Sequence, residues 1–197
     1  MDIAAFDFDG TLIEGDSLWM FARFAVGRRK LIAALIKSCP EIIKGKIRGD
    51  MARAKERLIT NLFRGFSLEA LIKKAEDFAK ILKQSERQSV AEKLNEHLRL
   101  GHEVFIISAS ARLWIEPWAA IHGIDSYHIL ATELETDDDQ RLTGRFSTPN
   151  CRGREKVRRL LAVRPDRSSY KLYAYGDSTG DRQLLDFADY SYNINRL

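Results

Sequence analysis

The residues of this chain best suited to chemistry stand just after short apolar runs. Asp7 and Asp9 close the run DIAAFDF at 2–8 and are followed by Gly10-Thr11. Ser108 and Ser110 follow the run EVFIIS that begins at Glu103, and Asp177 and Asp181 follow Leu172–Tyr175. Lys156 opens a helical stretch ahead of that last run. Carboxylates gathered at one point repel each other and are costly unless a cation sits among them. Oxygen donors without nearby His or Cys favour a hard ion, magnesium before zinc. A hard dication, a lysine and hydroxyls around one point make a phosphate site, where the two cations neutralise charge on the transferring group. One carboxylate held in line can then attack phosphorus while its neighbour protonates the leaving oxygen. Asp7 and Asp9 suit that division, because residues i and i+2 of a strand share a face. Gly10 permits the loop that follows.

The surrounding elements have to bring these residues together. The run at 2–8 reads as a buried strand feeding a loop. From Ser17 to Ser85 the spacing becomes helical, with Asp16-Ser17 as the first cap and breaks expected at Gly27, Pro40 and Lys44-Gly45-Lys46. Helices are predicted over Ala52–Phe63 and Leu68–Leu82, the latter capped by Ser67. Strand spacing returns at Glu103–Ser108, after a helix ending near Gly101. A helix over Arg112–His122 comes next, then a strand over Tyr127–Glu135 that runs into a hairpin with Arg141–Phe146. A helix over Arg154–Val163, a strand over Leu172–Tyr175, a helix over Asp181–Ala188 and a strand over Tyr190–Asn193 complete the pattern. Such alternation predicts an α/β fold, an open Rossmann-like parallel sheet covered on both faces. The helical block interrupts it after the first strand only. It is therefore expected as an inserted all-helical cap at 16–85, with the core at 1–15 and 86–197. In a sheet of this kind ligands bind beyond the carboxyl ends of the strands, where all these polar residues fall.

At this point the sequence resembles the haloacid-dehalogenase-like (HAD) superfamily. Asp7-Phe8-Asp9-Gly10-Thr11 matches its first motif, and Phe105–Ser110 looks like its second, a strand ending in Ser. Lys156 within Cys151–Lys156 resembles the third motif, and Tyr175–Asp181, YGDSTGD, the fourth. The resemblance implies that Asp7 is the nucleophile and a metal ligand. Asp9 would be the general acid, then the base for the hydrolytic water, and would ligate metal through its backbone carbonyl. Ser108, Ala109 and Lys156 would hold the phosphoryl oxygens. Asp177 would be the third protein ligand of a Mg2+ cofactor, with Asp181 in support. A helical cap of type C1, with SAS and GDSTGD, is most similar to subfamily IB, the phosphoserine phosphatase-like branch. That branch also holds phosphatidylglycerophosphate and other small-phosphomonoester phosphatases. Asp16 falls where phosphoserine phosphatases carry a Glu that reads the amino group, a departure that weighs against phosphoserine itself.

Composition fits an ordinary soluble globular protein, with 45% apolar and 30% charged residues in 197. Two distant cysteines, Cys39 and Cys151, make no disulfide framework and point to a reducing cytoplasm. No signal peptide is read at Met1, and Leu31–Ile36, the longest purely apolar run, is far too short to span a bilayer. The net charge of +4 is uneven: residues 17–85 hold 16 Lys or Arg against 6 Asp or Glu, a net of +10, leaving −6 elsewhere. Within that block Trp19, Phe21, Phe24, Leu31, Ile32, Leu35 and Ile36 lie among Arg23, Arg28, Arg29, Lys30 and Lys37. Such a surface can rest on an anionic membrane and admit a lipid phosphate. The expectation preferred here is that these apolar residues form the interior of the cap. The four histidines lie in no ligand spacing and are read as surface or loop residues, and Asp137–Asp139 as a solvated hairpin tip. The expected substrate is thus a small phosphomonoester or a lipid phosphate, with phosphoserine the alternative and no nucleic-acid partner. Two further readings are a phosphorylatable receiver and a basic membrane- or nucleic-acid-binding module without hydrolysis. The paired acids on the opening strand weigh against the first, and the full set of catalytic residue types against the second.

Overall fold

A computed structural model of the chain describes residues 1–49 and 51–196. The strand carrying Asp7 lies in the middle of the sheet. This strand, β1 (Ile3–Phe6), pairs in parallel with β2 (Glu103–Ala111) on one side and with β6 (Leu172–Gly176) on the other. Adding β3 (Ile129–Thr132) outside β2 and β7 (Tyr190–Asn193) outside β6 gives the order β3-β2-β1-β6-β7, all parallel. Neighbouring strands therefore end on the same edge, and three motifs distant in sequence meet there.

Side-chain alternation along β1 sets the two layers. Ala4 and Phe6 face one side with Val104, Ile106 and Tyr175, and Ile3 and Ala5 face the other with Phe105, Ile107, Leu172 and Ala174. The first layer is covered by α4 (Gln88–Arg99) and α5 (Arg112–Ile121), the second by α6 (Arg154–Val163) and α7 (Arg182–Phe187). Between β1 and α4 lie α1 (Ser17–Arg48), α2 (Ala52–Phe63) and α3 (Leu68–Gln84). Phe21, Leu58, Phe63 and Phe78 from these helices join the apolar cluster of the first layer, against Trp114 of α5.

Several sequence expectations are corrected. Only Gly27 breaks α1, at φ 77° and ψ 166°; Pro40 and Gly45 lie within helical backbone, and the helix ends at Gly49, φ 69°. A proline removes one backbone donor, a loss an exposed helix can leave to water. The expected strand over 127–135 is two strands in different sheets. Glu133 leaves the ladder, its N–H donating to Thr148 Oγ1 at 3.0 Å. Beyond it β4 (Leu134–Thr136) pairs antiparallel with β5 (Leu142–Phe146), and that hairpin seats on α2, where Thr60 Oγ1 donates to the Gly144 carbonyl at 2.8 Å. An alternating pattern is blind to a strand that changes sheets. His97 is neither a surface nor a loop residue, whereas His122 does lie in a turn, directly after α5, with its side chain covered. His97 is buried in α4 and shares a hydrogen bond with Tyr175 Oη at 2.9 Å. His122 sits against Glu86 Oε1 at 2.7 Å, with its side chain 4% exposed.

Candidate active site

Asp7 leaves β1 with its N–H still donating to the Tyr175 carbonyl of β6 at 2.9 Å. Its carboxylate is buried and accepts from Lys156 Nζ at 2.6 Å, and the same ammonium donates to Asp181 Oδ1 at 2.5 Å. Carboxylate oxygens of Asp7, Asp177 and Asp181 all lie within 4.8 Å of one another. Two glycines make this crowding possible. Gly10 turns at φ 74°, and a Cβ there would collide with the Asp177 carboxylate, while one on Gly176 would collide with Asp181. From the C-terminal turn, Asn195 Nδ2 donates to the Asp177 carbonyl at 2.6 Å.

The electrostatics follow from burial among like charges. Burial pushes the Asp7 carboxyl up to about 7, with Asp181 and Asp9 adding repulsion and Lys156 opposing. Burial also raises Asp177, again with repulsion from Asp181 and Asp9. For Lys156 burial disfavours the cation, but Asp7 and Asp181 outweigh it and hold the amine protonated. Asp181 is driven below the ordinary carboxylate range although burial works against it, because Lys156 and Ser178 stabilise its anion. Three carboxylates that disfavour each other's charge, offering only oxygen, fit a hard dication such as Mg2+.

Asp9 points to a different set of partners. Its Oδ1 accepts the Ser17 N–H at 2.8 Å and its Oδ2 accepts from the Ser110 hydroxyl. Ser17 is the first residue of α1, so that helix itself helps to aim this carboxylate. A register shift between β2 and β3, from Ser108 to Ala111, takes Ala109 and Ser110 out of the ladder. Ser108 Oγ accepts from the Ser110 N–H at 3.1 Å, inside that turn. The Ala109 carbonyl accepts from Thr132 Oγ1 and from Lys55 Nζ, both at 2.9 Å. Asp16 Oδ1 accepts from Leu18 N at 2.9 Å and Trp19 N at 3.3 Å and so closes the N-terminus of α1.

The structure thus brings Asp7, Asp177, Asp181 and Lys156 into one cluster, with Asp9, Ser108 and Ala109 on the strand ends beside it. Asp16 is part of the rim, with a carboxyl raised by burial and by Asp9. Sequence reasoning named Ser110 among the candidates but did not foresee that it holds Asp9, and it missed Lys55 altogether. Lys55 is a half-buried α2 residue whose ammonium is disfavoured by burial and supported by Asp9, Asp16 and Asp7. Its signal was available: Lys55 shares the i, i+3, i+4, i+7 stripe with Leu58, Ile59 and Leu62, all buried. Cys151, also near Lys156, is buried with its thiol pushed up to about 11, which makes it unreactive.

Comparison with known proteins agrees with this geometry. The family model described as haloacid dehalogenase-like hydrolase matches residues 4–186. Protein CicA of Caulobacter vibrioides is 31% identical over 189 residues, covering 95% of this chain and 83% of that protein. A histidinol-phosphatase of Neisseria meningitidis serogroup C is 27% identical, covering 98% of this chain and 90% of its own length. Among solved structures, a protein of unknown function from Bordetella pertussis Tohama I superposes with a TM-score of 0.77 at 24% identity, over 95% of this chain and 86% of that one. A substrate-bound phosphoserine phosphatase gives 0.64 at 18% identity, over 95% and 82%. At these identities the structural likeness shows a shared fold.

Proposed function

The chain belongs to the haloacid dehalogenase-like hydrolase family, and we propose that within it this protein is a magnesium-dependent phosphomonoesterase working through a phospho-aspartate on Asp7. The observation that carries the reading is the buried Asp7 carboxylate at 2.6 Å from Lys156 Nζ, clustered with Asp177 and Asp181. The phosphatase named among the sequence relatives supports the same reaction type. Asp7, Asp177 and the Asp9 backbone carbonyl would hold the ion, with Asp181 behind them. When bound, the ion neutralises charge on the phosphoryl oxygens and keeps Asp7 ionised.

In the first step an Asp7 carboxylate oxygen bonds to phosphorus and the ester P–O bond breaks, with Asp9 delivering its proton to the departing alkoxide. Its two donors, Ser17 N–H and Ser110 Oγ, hold Asp9 in one orientation for that transfer. Lys156, kept protonated, faces the phosphoryl oxygens, and Ser108 and Ala109 complete the cradle. In the second step Asp9 takes a proton from water, whose oxygen attacks phosphorus and restores the Asp7 carboxylate as inorganic phosphate departs. The substrate is a small phosphomonoester or a lipid phosphate, met in the cytoplasm. Phosphoserine is the less favoured choice, because Asp16 Oδ1 is committed to two amides of α1.

The test is a phosphomonoester panel with Mg2+ or with chelator, including phosphoserine, sugar phosphates and phosphatidylglycerophosphate. Hydrolysis is expected with Mg2+ only, and Asp7→Asn should lower kcat by about 1,000-fold or more. Inactivity on every substrate, or an Asp7→Asn variant with full activity, would sink the proposal.

A further inference from the structure

One side of α1 is left uncovered by the other described residues. Past the break at Gly27, Ala34 and Ser38 turn inward, and Asn61 Nδ2 of α2 donates to Ser38 Oγ at 2.9 Å. The opposite side carries Ile32, Ile36, Ile43 and Ile47, exposed by 54%, 69%, 53% and 80%. Their spacing of 4, 7 and 4 places them within about 60° of arc at 3.6 residues per turn. The expectation that the apolar residues of this segment pack inside the cap holds for Phe21, which is buried, and partly for Leu31 and Leu35. It fails for Ile32 and Ile36, and also for Trp19 and Phe24, which are more than a third exposed. A single exposed isoleucine is ordinary, whereas four in one continuous ridge mark an interaction surface.

Charge identifies the partner. On the same helical projection Arg28 and Lys46 flank the ridge on one side and Lys37, Lys44 and Arg48 on the other. The sole acidic residue between Arg28 and Arg48 is Glu41, already paired with Lys44 at 3.4 Å. No helix among the described residues is long and apolar enough to cross a membrane, so this one suits a surface and not a span. A second copy of the chain would set one strongly basic face against another, which like-charge repulsion disfavours.

We propose that α1 from Arg28 to Arg48 is an interfacial docking helix for an anionic lipid bilayer. The isoleucine ridge enters the acyl boundary, and the flanking cations meet the headgroup phosphates. Docking does not depend on the chemistry at Asp7. It would place the enzyme where phosphorylated lipids are.

The test is flotation of the full-length protein with phosphatidylglycerol/phosphatidylcholine vesicles against pure phosphatidylcholine vesicles. Wild-type protein should float with the anionic vesicles only, less so as salt rises. The double variant Ile36→Asp/Ile47→Asp should lose binding at least tenfold, and Lys37→Glu/Lys44→Glu should lose roughly fivefold for each cation removed. Circular dichroism and the thermal midpoint verify that both variants stay folded, independently of any activity. Three results overturn the proposal, the first two being no flotation with anionic vesicles at low salt, or wild-type flotation by the isoleucine variant. A third is a dimer by light scattering that the isoleucine variant abolishes, which reassigns the ridge to a second copy.

Discussion

Lys55 is the residue whose importance exceeds its visibility in the chain. It comes from α2, yet its ammonium donates to the Ala109 carbonyl at 2.9 Å and lies in the field of Asp9, Asp16 and Asp7. Burial makes a lysine costly unless its charge is used, and here carboxylates on both sides of the insert boundary use it. Lys55→Met should lower kcat/KM by roughly 10- to 100-fold, the equivalent of one charge-assisted hydrogen bond. The loss should be larger for substrates with an anionic leaving group than for neutral ones. Steady-state kinetics on matched substrates measure this, and equal losses on both would return Lys55 to a structural role. Asp7, Asp9, Lys156 and Asp177 were legible from the sequence because each follows an apolar run at a strand end or opens a helix. Lys55 was hidden because no local pattern shows that α2, in the middle of the helical block, folds back to the end of β2.

At the scale of elements, the junction between β1 and α1 joins the chemistry to the insert. Asp16 caps α1 while Ser17, one residue on, gives its N–H to Asp9. Loss of a side-chain cap costs about 1 kcal/mol. Asp16→Ala should therefore destabilise the protein by about that amount and should lower kcat, since a frayed first turn loosens Ser17. Asp16→Asn retains an acceptor and should keep most of the stability, which isolates any role of the charge. Urea unfolding and kcat are the readouts, and an Asp16→Ala variant with wild-type values in both would refute the coupling. The cap was legible as Asp-Ser before a helical run. Its link to Asp9 was not, because it needs the strand end and the helix start to face each other across the Gly10 turn.

For the whole molecule, the two faces of the sheet carry different burdens. The face under the insert holds His97, bonded to Tyr175 at 2.9 Å and to His102 at 2.8 Å. Burial, then the neighbouring His102, lowers the His97 imidazole below its ordinary value, while Glu96 opposes and Lys93 adds slightly. A group whose folded pKa is depressed supports the fold above its unfolded pKa, about 6.5 for His, and loses that support as pH falls. The thermal midpoint should thus decline between about pH 7 and pH 5, and His97→Gln should flatten the slope. An unchanged slope in the variant would show that other groups carry the acid sensitivity. By itself the sequence determined the alternation of strands and helices, the run of helices that follows β1 and the acids and lysine after the apolar runs, because these rest on local periodicity and residue type. Tertiary structure alone decided that the strand over 127–135 divides between two sheets, that Lys55 and Ser17 reach the site, and that Ile32 and Ile36 face outward. Each of those depends on which surfaces meet, and an apolar stripe in a sequence says that burial is available without saying what will cover it.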